Sequence, residues 1–139
     1  LSIYFHNEKC RFKYSEIAKS KKWLRKILRE EKKREGDINI IFTDNNTILQ
    51  LNKTYLSHNY FTDVIAFPYR EGKTVTGDIY ISIDTVKENA KHFKCSFWDE
   101  LHRVVIHGLL HIIGYGDKTA KEKKEMRKKE SFYLSEFTT

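Results

Sequence analysis

His107 and His111 are the residues of this chain best placed to do chemistry. Four positions make about one turn of an α-helix, so on a helix both imidazoles project from one face. A metal ion that takes two ligands from one helix needs that spacing. The pair lies within the apolar run 104–113, where an unpartnered imidazole costs desolvation free energy. Gly108, between them, destabilises a helix by about 1 kcal/mol relative to Ala, which points to something approaching that face closely. Gly114 reads as the glycine that ends the helix. Asp117 follows three residues later, where a returning chain can supply a third ligand. The competing reading is two core histidines bonded to backbone carbonyls. In zinc proteases with an HExxH helix, the glutamate beside the first histidine is the general base. Gly108 stands there instead, which argues against protease chemistry. Arg103, one turn before His107 on the same stripe, can bind a substrate phosphate or pair with Glu100 or Asp99 at the surface. His6, His92 and His102 carry no spacing signal, and His102 reads as structural.

The histidine stripe needs a helix from Ser96 or Phe97 to Ile113, apolar nearly all round and so packed on more than one side. Upstream, residues 2–4 open a first strand that 11–14 continue or pair with. Ser15 is a plausible N-cap, and residues 16–35 form an amphipathic helix with a basic outer face, ended by Gly36-Asp37. Residues 38–42 read as a buried strand, and Thr43-Asp44 cap a short helix over 45–55. The polar loop 57–63 holds His58, Tyr60 and Phe61, which either stack on unpaired bases or pack as a lid. Residues 64–69 and 77–83 read as a hairpin. Asp84 is expected to cap a helix over 85–94, and a last Lys- and Glu-rich helix runs over 120–137, with Met126, Tyr133, Leu134 and Phe137 as its inner stripe. The order predicts a single mixed α/β domain over 1–139: a small mixed sheet with helices packed on it, and a central helix carrying the histidines.

A chain of 139 residues with 40% hydrophobic and 14% aromatic content can bury a real core, which argues against disorder. Lys and Arg number 26 against 19 Asp and Glu, and the net charge of +7 suits a polyanionic partner such as RNA. The Lys-rich faces of the first and last helices are the plausible phosphate-tracking surface. Cys10 and Cys95 have no metal-like spacing and are expected to be free thiols in a reducing cytoplasm. The start is too short and polar for a signal peptide, and no apolar run approaches the ~18 residues of a membrane span. A soluble, cytoplasmic protein is expected, with an initiator methionine removed or left off before Leu1.

The run His107-Gly108-Leu109-Leu110-His111-Ile112-Ile113-Gly114-Tyr115 resembles the signature HGxLHLxGYDH of the YbeY family, zinc-dependent single-strand endoribonucleases of bacteria. The resemblance extends to Leu51-Asn52-Lys53-Thr54-Tyr55, Thr62-Asp63-Val64-Ile65 with Phe67-Pro68, and Gly77-Asp78-Ile79, in family order across residues 38–118. It implies one Zn2+ per chain, cleavage of single-stranded RNA, maturation of the 3′ end of small-subunit ribosomal RNA and a part in ribosome quality control. The small ribosomal subunit is the implied partner, with no membrane. Two positions depart from the family. Its third ligand is usually a histidine ten residues after the first; Asp117 stands there, and no histidine follows His111. The expected ligands are therefore His107, His111 and Asp117, a set that admits Mn2+ or a similar ion beside zinc. An arginine common after the Leu-Asn-x-x-Tyr block is replaced by Leu56. Asp63 and Asp78, carried on matching blocks, are the candidate bases, with Arg103 as candidate phosphate ligand. The alternatives are a metal-dependent hydrolase of another substrate and a ribosome-associated RNA-binding protein with a structural metal.

Overall fold

A computed structural model of the chain describes residues 2–56, 62–69 and 72–138. The elements are β1 (Ile3–Asn7), α1 (Ile17–Glu30), β2 (Arg34–Thr43), α2 (Asn45–Leu51) continued by one π-helical turn (Asn52–Leu56), β3 (Val64–Pro68), β4 (Thr74–Ser82), α3 (Ile83–Phe93), α4 (Phe97–Ile113) and α5 (Ala120–Thr138). The strands form one sheet in the order β1-β2-β4-β3. β1, β2 and β4 run parallel, and β3 closes the edge antiparallel to β4. The mixed α/β class, the hairpin and the central helix are as the sequence predicts.

Strand alternation decides what faces the helices. Ile38, Ile40 and Phe42 of β2 and Ile79 and Ile81 of β4 are buried together with Leu101, Val105, Leu109 and Leu110 of α4. Each such side chain stabilises the fold by ~1.5–3 kcal/mol. α4 packs on β3 and β4 on one side and on α3 and α5 on others, which is why it is apolar nearly all round. Gly108 permits the closest approach: a Cβ there would stand 2.5 Å from Ile79 Cγ2. The expectation that something closely approaches this helix face is met by the sheet.

Several local readings are corrected. Residues 11–14 are not strand; Phe12 and Tyr14 instead pack their rings edge-on or tilted against Phe42 and Trp98. α1 stops at Glu30 rather than at Gly36-Asp37, because Lys32 takes the left-handed conformation (φ 58°) that turns the chain. Gly36 and Asp37 lie inside β2, where its register against β4 shifts. Ser82, not Asp84, caps α3 by accepting from Thr85 N at 3.2 Å. Asp44 and Ser96 cap α2 and α4 as expected, accepting from Thr47 N and Asp99 N. Cys10 and Cys95 are both free. Among the described residues no helix is long and apolar enough to cross a membrane.

Candidate metal centre

α4 presents His107 and His111 on adjacent turns, and their Nε2 atoms come within 2.9 Å of each other. Gly114, at φ 128°, ends the helix and lets the chain reverse. Tyr115 N then donates back to Leu110 O at 2.9 Å. This turn delivers Asp117, whose Oδ2 lies 3.2 Å from each Nε2. The next helix is fixed at once by a reciprocal cap: Glu122 N donates to Thr119 Oγ1 at 3.1 Å, and Thr119 N donates to Glu122 Oε1 at 3.0 Å.

The far side of each ring sets its protonation. His111 Nδ1 lies 3.0 Å from Tyr115 O, which can only accept, so Nδ1 carries the proton. His107 Nδ1 lies 2.5 Å from Glu130 Oε2 and donates to it. Both Nε2 lone pairs therefore point at one spot, joined there by an anionic oxygen. Three converging acceptors repel one another unless a proton or a metal cation lies among them. Their edges of 2.9, 3.2 and 3.2 Å are close to the ~3.3 Å that ligands of a tetrahedral zinc ion, bound at ~2.0–2.1 Å, require of each other. The donor set fits a divalent metal ion. Among the described residues His107, His111 and Asp117 form the group able to hold one.

The centre opens into a cleft of about 690 Å³. The ligand side chains are 23%, 27% and 41% exposed, so a solute can reach them. Asp63 stands in the same cleft, placed by Ser82 N donating to its carbonyl at 2.9 Å and Asn89 Nδ2 donating to its carboxylate at 3.3 Å. Burial pushes its carboxyl pKa up, against the opposing pull of His107. Burial also lifts Glu100, helped by the nearby charge of Asp63. At His107 burial works downward, but the Glu130 bond and the charges of Glu130, Asp117 and Asp63 outweigh it, and the net shift is up. Arg103, Lys123 and Arg127 also line the cleft.

The structure thus brings His107, His111, Asp117, Asp63 and Arg103 to one place. Arg103 pairs with Glu130 at 3.2 Å rather than with Glu100 or Asp99. Asp78 is corrected. It pairs across the sheet with Asn39 and Phe67, in the alternate set from Ile79, so it lies on the face turned away from α4. Its carboxylate accepts from Asn39 Nδ2 at 3.0 Å and Tyr69 OH at 2.8 Å, and it takes no part in the cleft. His102 lies among Trp23, Trp98 and Phe137, where burial drives its pKa to about 4. His58, Tyr60 and Phe61 fall outside the described residues.

Glu130 is the site residue that sequence reasoning missed. It sits between Met126 and Tyr133 on the buried stripe of α5. A carboxylate at that spacing was the available signal, concealed by the many exposed Lys and Glu around it. Glu31, at the end of α1, is the second omission. It accepts from Tyr115 OH at 2.6 Å, from Lys129 Nζ at 2.9 Å and from Tyr133 OH. It ties the turn before Asp117 to α1 and α5. These three bonds overcome burial and hold its carboxyl below the usual range.

Comparison with known proteins agrees with this architecture. A family model described as Endoribonuclease YbeY matches residues 3–138. An Endoribonuclease YbeY from Cytophaga hutchinsonii is 44% identical over 135 residues, covering 96% of this chain and 94% of the relative. One from Flavobacterium psychrophilum is 49% identical over 115 residues, covering 83% and 82%. The solution structure of a Thermotoga maritima protein superposes with a TM-score of 0.70 at 34% identity, covering 97% of this chain and 88% of that one. Two helical imidazoles and a carboxylate converge beside an open cleft, and the sequence matches from end to end; the chain belongs to the YbeY endoribonuclease family, RNA-cleaving hydrolases.

Proposed function

We propose that this protein is a zinc-dependent endoribonuclease that cuts single-stranded RNA, acting in the cytoplasm on the 3′ end of small-subunit ribosomal RNA and in ribosome quality control. The observation that carries the metal dependence is the convergence of the two Nε2 atoms and Asp117 Oδ2. Zinc suits two imidazoles and one carboxylate, and three protein ligands leave coordination free, as in catalytic sites. This favours an enzyme over a binding protein with a structural metal, whose site is normally closed by four ligands.

When bound, the ion supplies Lewis acidity toward a phosphoryl oxygen. The chain's own groups do the rest. Arg103, Lys123 and Arg127 are the cationic side chains of a cleft that also holds four carboxylates, and they are the groups there able to hold a phosphodiester. Asp63 is the carboxylate of the predicted pair that remains in the cleft. Burial raises its pKa above the ordinary carboxyl value, a shift in the direction that makes a carboxylate a stronger base. Gly108 offers no base on the helix, and RNA brings its own 2′-hydroxyl as a nucleophile.

The test is cleavage of an unstructured RNA and of a duplex of the same sequence, with zinc, with Mn2+ and with chelator. Zinc-restored cleavage confined to the unpaired RNA is expected. Cleavage that survives chelation, or equal cutting of the duplex, overturns the reading. Cleavage of precursor small-subunit RNA at its 3′ end, alone and within the small subunit, tests the biological substrate.

A further inference from the structure

The two histidine ligands are oriented by different means. His111 is held locally, by the carbonyl of Tyr115 in the turn that ends its own helix. His107 is held by a residue 23 positions away, on another helix. Glu130 is buried, with 8% of its side chain exposed, and a buried carboxylate is costly unless its oxygens are partnered. Each oxygen has one partner: Oε2 takes the proton of His107 Nδ1 at 2.5 Å, and Oε1 takes a guanidinium N–H of Arg103 at 3.2 Å. Ser131 Oγ lies a further 3.4 Å from the same Arg103 nitrogen.

We propose that Glu130 is a positioning residue of this enzyme: through its two oxygens it fixes His107 with Nε2 free for the metal and parks Arg103 at the rim of the cleft for the substrate phosphate. This rests on the metal-dependent reading above. A free imidazole favours the proton on Nε2, the wrong tautomer for coordination through that atom. A carboxylate at Nδ1 reverses the preference and makes the ring a stronger donor. The competence of the centre thus depends on the docking of α5, a helix that supplies no metal ligand. Met126, Tyr133 and Phe137 seat that helix, and Glu130 lies on the same stripe.

The experiment uses the full chain and zinc ions titrated against a competing chelator, with imidazole proton–nitrogen NMR of the zinc-free protein. Glu130→Met keeps the volume of the stripe and removes both acceptors. It is expected to bind zinc 10–100-fold more weakly and to move the His107 proton to Nε2. Glu130→Gln, whose amide oxygen still accepts from Nδ1, is expected to recover the tautomer and most of the affinity. Glu31→Gln loosens α5 without touching His107 and is expected to leave the tautomer unchanged. Zinc affinity of Glu130→Met within twofold of the wild type, or an unchanged His107 tautomer in that variant, overturns the proposal. If Glu130→Met does not fold, the wild-type spectrum recorded at a pH where the His107 ring is neutral decides: its single proton found on Nε2 overturns the proposal, and on Nδ1 supports it. A wild-type chain that binds no zinc sinks the metal-dependent reading itself, a result distinct from failure of the Glu130 role alone.

Discussion

Asp117 meets both imidazoles from the most exposed position of the three ligands, 41% accessible at its side chain. Its carboxylate is placed by one turn of backbone, so its substitution probes coordination with little effect on packing. Asp117→Ala is expected to weaken zinc binding by at least ~100-fold, beyond the range for residues that only support a ligand. Asp117→His is expected to tighten it by supplying a third imidazole. Chelator competition measures both, and an Asp117→Ala protein with wild-type affinity places the third ligand elsewhere. His102 offers a different residue-scale test. Burial lowers its pKa to about 4 from an ordinary 6.5. Below pH 6.5 the unfolded chain therefore takes up a proton that the folded one refuses, and stability falls as pH drops toward 4. The full difference is worth about 3 kcal/mol. His102→Phe should lose that much less than the wild type between pH 7 and pH 4 in denaturant titrations, and parallel losses would refute the assignment.

At the scale of elements, the site depends on how closely α4 lies on β4. Gly108→Ala improves helix propensity by about 1 kcal/mol. Its new Cβ meets Ile79 Cγ2 at 2.5 Å, however, on a β-branched side chain that cannot swing away. Overpacking of this kind typically costs ~1–3 kcal/mol, so a net loss of stability is expected. Pushing α4 off the sheet also separates the histidines from Asp63, so activity should fall as well. Ile79→Ala on the Gly108→Ala background should cost less than Ile79→Ala alone, a coupling that a double-mutant cycle in thermal unfolding would detect. Glu31 works between elements. Glu31→Gln leaves Lys129, Tyr115 and Tyr133 with a neutral acceptor. It is expected to cost ~1–3 kcal/mol, chiefly by freeing the Asp117 turn. Glu31 is held below its ordinary carboxyl range, so the stability it contributes is present above pH ~4.5 and fades as pH falls below that. The wild type should lose its advantage over Glu31→Gln in acid.

For the whole molecule, the surplus of 26 Lys and Arg over 19 Asp and Glu becomes relevant to binding where it reaches the cleft. Lys123 and Arg127 line it from the same face of α5 that carries Glu130, two turns and one turn before it. Binding of single-stranded RNA is expected to weaken with salt, by a slope of about −0.7 in log K per phosphate contacted. The double substitution Lys123→Ala, Arg127→Ala should flatten that slope by one or two such contacts while leaving zinc binding intact. An unchanged slope would mean that the RNA follows another basic surface.

Much of this molecule was legible in order of sequence. The HxxxH spacing put both imidazoles on one helix face, Gly114 ended that helix, and Asp117 followed within reach. Local geometry over ten residues needs no tertiary information, because helix periodicity and a glycine stop determine it. A nearly continuous apolar run announced β2 and alternating Ile residues announced β4, and the hairpin between β3 and β4 followed from their adjacency. The tertiary structure alone decided the longer-range assignments. Asp63 and Asp78 sit on equally matching blocks, and only the tertiary structure separates them: bonds from Ser82 and Asn89 hold Asp63 in the cleft, while the pleat of β4 turns Asp78 to the opposite face. Lys32, not a glycine, ends α1, because the packing of Ile27 and Leu28 outweighs the small penalty of a left-handed non-glycine residue. Glu130 lies 23 positions from His107, and Glu31 lies 84, 98 and 102 positions from Tyr115, Lys129 and Tyr133. Their identity as partners depends on which helix packs against which, and charge patterning along a chain carries no record of that.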